Sequence, residues 1–144
     1  MTRRMAIALL SLVTGLVALY LHLYKTGVVG NLSCGTGGCE TAMFSQYGWF
    51  LGVDVALIGV IGYTLLLLTS LASIQPRWQD ARWPVGLLLA LAIIGFGFTL
   101  RLKYGEFVVL HTFCPWCAIS AVAITIITIL AVLEWRSVAR KAAA

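Results

Sequence analysis

Four cysteines in two pairs are the residues of this chain best able to do chemistry: Cys34 and Cys39, and the two thiols of Cys114-Pro115-Trp116-Cys117. Cysteines spaced C-x-x-C at the first turn of a helix form a redox couple that is easily oxidised and reduced. Residues three apart share a helix face at roughly 5–6 Å between Cβ atoms, so a modest adjustment of that turn brings them into disulfide geometry. Cys114 is expected near a helix N-terminus, where unpaired N–H groups and the macrodipole favour a thiolate. Pro115 suits the first helical turn, because its missing N–H would have lacked a partner there anyway. Cys117 lies one turn deeper and is the thiol better placed to meet a lipid-soluble redox partner. Two other uses compete: buried packing residues, and a zinc site built from all four thiols, for which C-x4-C plus C-x2-C is a tolerable spacing.

The first pair encloses Gly35-Thr36-Gly37-Gly38. Such a loop is able to swing, and thiol–disulfide exchange requires the attacking sulfur to line up with the disulfide it attacks. The pair therefore reads as a shuttle between an outside protein thiol and the embedded couple, with a static structural disulfide as the alternative.

The elements that must position these thiols follow from composition. The chain has 144 residues, of which 61% are hydrophobic and 10% charged, with a mean hydropathy of +0.99. Soluble domains carry about 25% charged residues, so this is a membrane chain. About 20 apolar residues cross a bilayer as a helix, and four such runs fit, at about 5–24, 49–74, 85–102 and 113–135. The expected fold class is an all-α membrane protein: a four-transmembrane-helix bundle, residues 1–144 as one domain, with a cysteine loop and a short surface helix from Glu40 to Tyr47 outside it. The basic start and apolar core of the first run resemble a secretory signal. It is too long for one, however, and Tyr20-Leu21-His22-Leu23-Tyr24 offers no small-residue cleavage site, so a retained helix is expected. Gly52, Gly59 and Gly62 in the second run and Gly86, Gly95 and Gly97 in the third are small positions that let helices approach.

The formal net charge of +5 does not point to nucleic acid. The basic residues sit in short clusters at the ends of apolar runs, the pattern of topology signals. Arg3, Arg4, Arg77, Arg82, Arg136, Arg140 and Lys141 fall on one side; Lys25, Arg101 and Lys103 fall on the other. The positive-inside rule then places both termini in the cytoplasm and both cysteine pairs on the periplasmic, exterior or luminal side, where disulfides persist.

Several other residues lie near the expected site. Asp54 reads as the one acidic residue within a span, about five residues inside its outer end. It is either a proton relay, since an intramembrane acid is a functional candidate, or an interfacial aspartate near a helix N-terminus paired with Arg101 or Lys103. His111 precedes Cys114 by three residues and is suited to stabilising a thiolate or moving protons; an interface residue is the plainer reading. Trp49, Phe50, Phe113 and Trp116 are able to stack on the ring of a lipid-soluble redox partner, although aromatic belts need no ligand.

The loop pair, Ser45-Gln46-Tyr47-Gly48, Gly52, Gly59-Val60-Ile61-Gly62-Tyr63 and Cys114-Pro115-Trp116-Cys117 together resemble the vitamin K epoxide reductase family over most of the chain. The resemblance implies a bundle surrounding a quinone. Electrons would pass from a separate thioredoxin-like partner to Cys34 and Cys39, then to Cys114 and Cys117, then to ubiquinone or menaquinone, or to a vitamin K-type quinone. It also places Ser45 near the active site and Cys117 against the quinone. The animal enzymes carry a quinone-binding asparagine and tyrosine where this chain has Val55 and Ala121, and their loop pair is more widely spaced. Those departures favour the bacterial or archaeal branch, a thiol oxidase of the inner (plasma) membrane, over epoxide reduction. A rival of another class is a carrier of heavy-metal ions, which soft thiolates bind. Against it, both pairs lie on one side and no thiol marks an exit path.

Overall fold

The computed structural model describes residues 2–28, 44–109, 111 and 115–143. Cys34, Cys39, Phe113 and Cys114, and most of the expected surface helix, lie outside the described residues. Four long helices make up most of the rest: α1 (Thr2–Lys25), α2 (Val55–Ile74), α3 (Trp83–Tyr104) and α4 (Pro115–Ala143). With the π-turn that continues α3 to Val109, all four are long and apolar enough to cross a membrane.

Each helix buries one face. On α1 it is Arg4, Ile7, Ala8, Ser11, Thr14, Ala18 and Leu21, and on α4 Ala123, Ile124, Ile127, Ala131, Glu134 and Val138. Those steps of three and four are the helical repeat of a packed stripe. The opposite faces expose Leu9, Leu12, Val13 and Leu16 on α1 and Val122, Ile129 and Leu133 on α4, apolar surface suited to lipid. The core joins Ile7, Tyr63, Leu66, Leu88, Ala92, Ile124 and Ile127 from all four helices. α1 packs most extensively on α2, and α4 on α3. Where α1 crosses α2, a Cβ on Gly15 would lie only 3.3 Å from that of Tyr63, so absence of a side chain there lets the helices approach.

One end of the bundle is closed by ions. Arg4, itself buried, donates from Nε to Glu134 at 2.6 Å and from Nη1 to the carbonyls of Ser73 and of Gln79, the latter at 3.1 Å. Ser70 Oγ donates to the Arg4 carbonyl at 2.6 Å. The start of α1 is thereby joined to the ends of α2 and α4, fixing an up-down-up-down arrangement. Glu134 is thus a second acid within the expected spans, beside Asp54.

The second span differs from the sequence expectation. α2 begins at Val55, because Trp49–Phe50 and Val53–Asp54 form a minimal antiparallel hairpin, Trp49 opposite Asp54 and Phe50 opposite Val53. Leu51 and Gly52 at its tip have φ of 52° and 80°, the left-handed pair that a two-residue type I′ turn requires. Trp49-Phe50-Leu51 is apolar enough to pass for the start of a membrane helix, and two-residue strands leave no alternating pattern to contradict it. Asp54 consequently lies at the start of α2 rather than inside a span.

Candidate functional site

The end opposite Arg4 gathers the chemistry. α4 starts at Pro115, where the sequence placed a first turn, and Cys117 is its third residue. Cys117 lines a cavity of about 360 Å³ between the four helices. That volume lies at the small end of the range for ligand sites, about 300–1,000 Å³. The lining is overwhelmingly apolar: Leu21, Val55, Ile58, Leu66, Phe98 and Leu102 are among its walls. Ile61, Leu65 and Ile94 line it too and are 52%, 44% and 69% exposed, so the cavity reaches the lipid-facing surface between α2 and α3. An apolar chamber open to lipid fits a quinone head group and its hydrocarbon tail.

Charged groups form the rim. Asp54 caps α2, one carboxylate oxygen accepting from the Ala56 backbone N–H at 3.1 Å and from Lys25 Nζ at 2.8 Å, the other from His22 Nδ1 at 2.6 Å. Burial is the largest single influence on this carboxyl and raises its pKa. The hydrogen bonds from Lys25, His22 and Ala56 and the charge of Lys25 together outweigh burial and hold it below the usual carboxylate range. Lys25 also donates to the Gly48 carbonyl at 2.7 Å and lies 4.1 Å from the Trp49 ring centroid. One lysine at the end of α1 therefore seats the hairpin on the bundle. Across the rim, Lys103 donates to Glu106 at 2.8 Å. Glu106 belongs to the π-turn Gly105–Val109 and is 3% exposed.

The expected pairing of Asp54 with Arg101 or Lys103 is therefore corrected. Lys103 bonds Glu106 and Arg101 lies over the Phe50 ring, while Lys25 and His22 come from α1, the helix packed closest to α2. Of the remaining candidates, Trp116 packs against Tyr20 with the rings tilted by 51° and their centroids 5.4 Å apart, beside Val13 and Val17 on the flank of α1. Ser45 receives the Gly48 N–H on its carbonyl at 3.0 Å. His111 is exposed with a φ of 50°. These three lie outside the lining of the large cavity, whereas Asp54 and Cys117 belong to it. Phe50 meets Phe98 edge-on at 5.3 Å.

Sequence reasoning took Lys25 as a topology charge and passed over Glu106, Ser120, and Tyr63 as a site residue. The i,i+3 spacing of Lys103 and Glu106 was a usable signal for an ion pair. Nothing comparable marks Lys25, whose carboxylate partner is 29 residues away.

The bundle, the C-x-x-C thiol in the wall of an apolar chamber and the glycine-rich cysteine loop agree with the comparison to known families. A family model described as the vitamin K epoxide reductase family matches residues 5–132. Family members are membrane oxidoreductases that act on quinones or vitamin K. With nearly its whole length matched and four helices able to span a bilayer, this multi-pass membrane chain belongs to the vitamin K epoxide reductase family.

Proposed function

We propose that the protein is a quinone-dependent thiol oxidase that reoxidises a thioredoxin-like protein on the outer face of the cell membrane. The observation that carries this reading is the position of Cys117, on the first turn of α4 and in the wall of a chamber that opens to lipid. The partner's dithiol reduces the Cys34–Cys39 disulfide by exchange, and that pair in turn reduces the Cys114–Cys117 disulfide. Oxidation of Cys114 and Cys117 back to the disulfide releases two electrons and two protons. A bound quinone supplies the two-electron, two-proton acceptor and leaves as the quinol. Within the chain, the apolar walls exclude water, and Lys25 and Asp54 hold the hairpin at the charged rim. Val55 lines the chamber as an apolar group at a position where the animal enzymes bind quinone through an amide, which supports thiol oxidation over epoxide reduction.

The orientation proposed is both termini cytoplasmic, from the excess of basic residues at the Arg4 end. Single replacement of each cysteine tests the electron order: Cys39→Ala is expected to trap the partner as a mixed disulfide on Cys34. Trapping on Cys117 instead would overturn the order. Turnover of an epoxide with dithiothreitol, with no oxidation of a reduced thioredoxin-like substrate, would replace this reading with the reductase. Tight mercury or copper binding without quinone reduction would replace it with the carrier.

A further inference from the structure

Away from its charged rim, the chamber wall carries a hydrogen-bonded pair of hydroxyls. Tyr63 Oη on α2 and Ser120 Oγ on α4 are 2.7 Å apart, and both residues line the cavity. Ser120 follows Cys117 by three positions, which puts it on the same helix face one turn deeper. Most other bonded hydroxyls within the spans stay on their own helix, and the two that also reach another helix, Ser70 to the Arg4 carbonyl and Thr128 to that of Ala92 at 3.3 Å, lie outside the chamber lining. Thr14, Thr64, Thr69, Thr125 and Thr128 each turn back to the carbonyl four residues earlier, at 2.6–2.8 Å. Ser120 reaches across to Tyr63 instead.

Counting protons shows what the pair has left to give. Two hydroxyls carry two O–H donors, and their mutual bond uses one. If Ser120 donates, the Tyr63 proton has the Ser120 backbone carbonyl at 3.4 Å, beyond the usual O–H···O range of about 2.5–3.0 Å. If Tyr63 donates, the Ser120 proton is the spare one. Either way one O–H is without a close acceptor at an apolar surface, where a hydroxyl gains from a ligand oxygen. Tyr63 is 7% exposed, so its ring is fixed by packing and its oxygen is positioned in advance.

We propose that the Tyr63–Ser120 pair is the carbonyl-binding point of the chamber, donating a hydrogen bond to one quinone oxygen and so orienting the head group toward Cys117. The inference rests on the quinone-linked reading above and assigns residues to it. A site built around a donor discriminates against ring compounds lacking the matching oxygen.

The test uses the full chain in detergent with ubiquinone-1, a short-tailed quinone. Isothermal titration gives affinity, and infrared difference spectra give the carbonyl stretch of the bound quinone. In the wild type one carbonyl band is expected below its free position. Tyr63→Phe and Ser120→Ala are each expected to weaken binding up to about tenfold, the range of one net hydrogen bond, and to return that band toward the free position. Thr64→Val, on the exposed side of α2, is expected to match the wild type in both. Circular dichroism identifies any variant that fails to fold; the other variant then carries the test. If the wild type binds ubiquinone-1 and both folded variants keep its affinity and its band, the pair is not the contact and only this inference falls. If the wild type neither binds nor reduces the quinone, the functional reading falls with it.

Discussion

Asp54 joins three pieces of chain through one carboxylate: the end of α1 through Lys25 and His22, the hairpin it terminates, and the first turn of α2. The Lys25 side chain is buried more deeply still, 3% exposed against 8% for that of Asp54. Asp54→Asn leaves that ammonium without a counter-charge, and breaking a buried pair typically costs about 3–5 kcal/mol; a large drop in Tm of the purified protein is expected. The pH dependence has a definite sign. A carboxyl held below its ordinary value stabilises the fold at pH above that value, and the contribution fades as pH falls through the lowered pKa. Thermal melts of the wild type should therefore lose stability below about pH 4, and Asp54→Asn should flatten that part of the profile. The sequence marked Asp54 as unusual for a membrane chain. It did not reveal the partners, which lie 29 and 32 residues back and are selected by the packing of α1 on α2.

At the scale of elements, the four spans were legible because length and hydropathy set them directly. The Trp49–Asp54 hairpin was not, because its residues are apolar and its strands too short to show a period. Its tip is a place where the chain pays for shape: Leu51 is 89% exposed and left-handed. Asparagine tolerates that conformation, and Asn-Gly is the favoured type I′ pair, so Leu51→Asn should add about 0.5–1 kcal/mol of stability, read from Tm. Gly62 offers a separate test of the chamber. A Cβ there would meet nothing within 4 Å, and the residue lines the cavity. Gly62→Leu should improve helix propensity by up to about 1 kcal/mol while filling the chamber. Unchanged or raised Tm with weakened ubiquinone-1 binding is the expected combination; unchanged binding would place the ligand elsewhere.

Taken as a whole molecule, the bundle has a functional end and a closing end. Glu134→Ala strands Arg4 and should cost about 3–5 kcal/mol. Arg3→Ala removes only a half-exposed arginine 3.8 Å from Glu134 and should cost less than about 1 kcal/mol, so paired unfolding curves of the two variants will separate the buried ion pair from the peripheral one. Basic residues at this end were readable as topology signals, but the use of Arg4 inside the bundle was hidden, since its acid is 130 residues away. That separation has a consequence for biosynthesis. Arg4 is synthesised 130 residues before Glu134, so the helices cannot be clamped at this end until α4 has been made. A chain cut short before α4 carries an arginine at the bilayer edge without its acid. Synthesis of α4 and closure of the bundle at this end are therefore coupled.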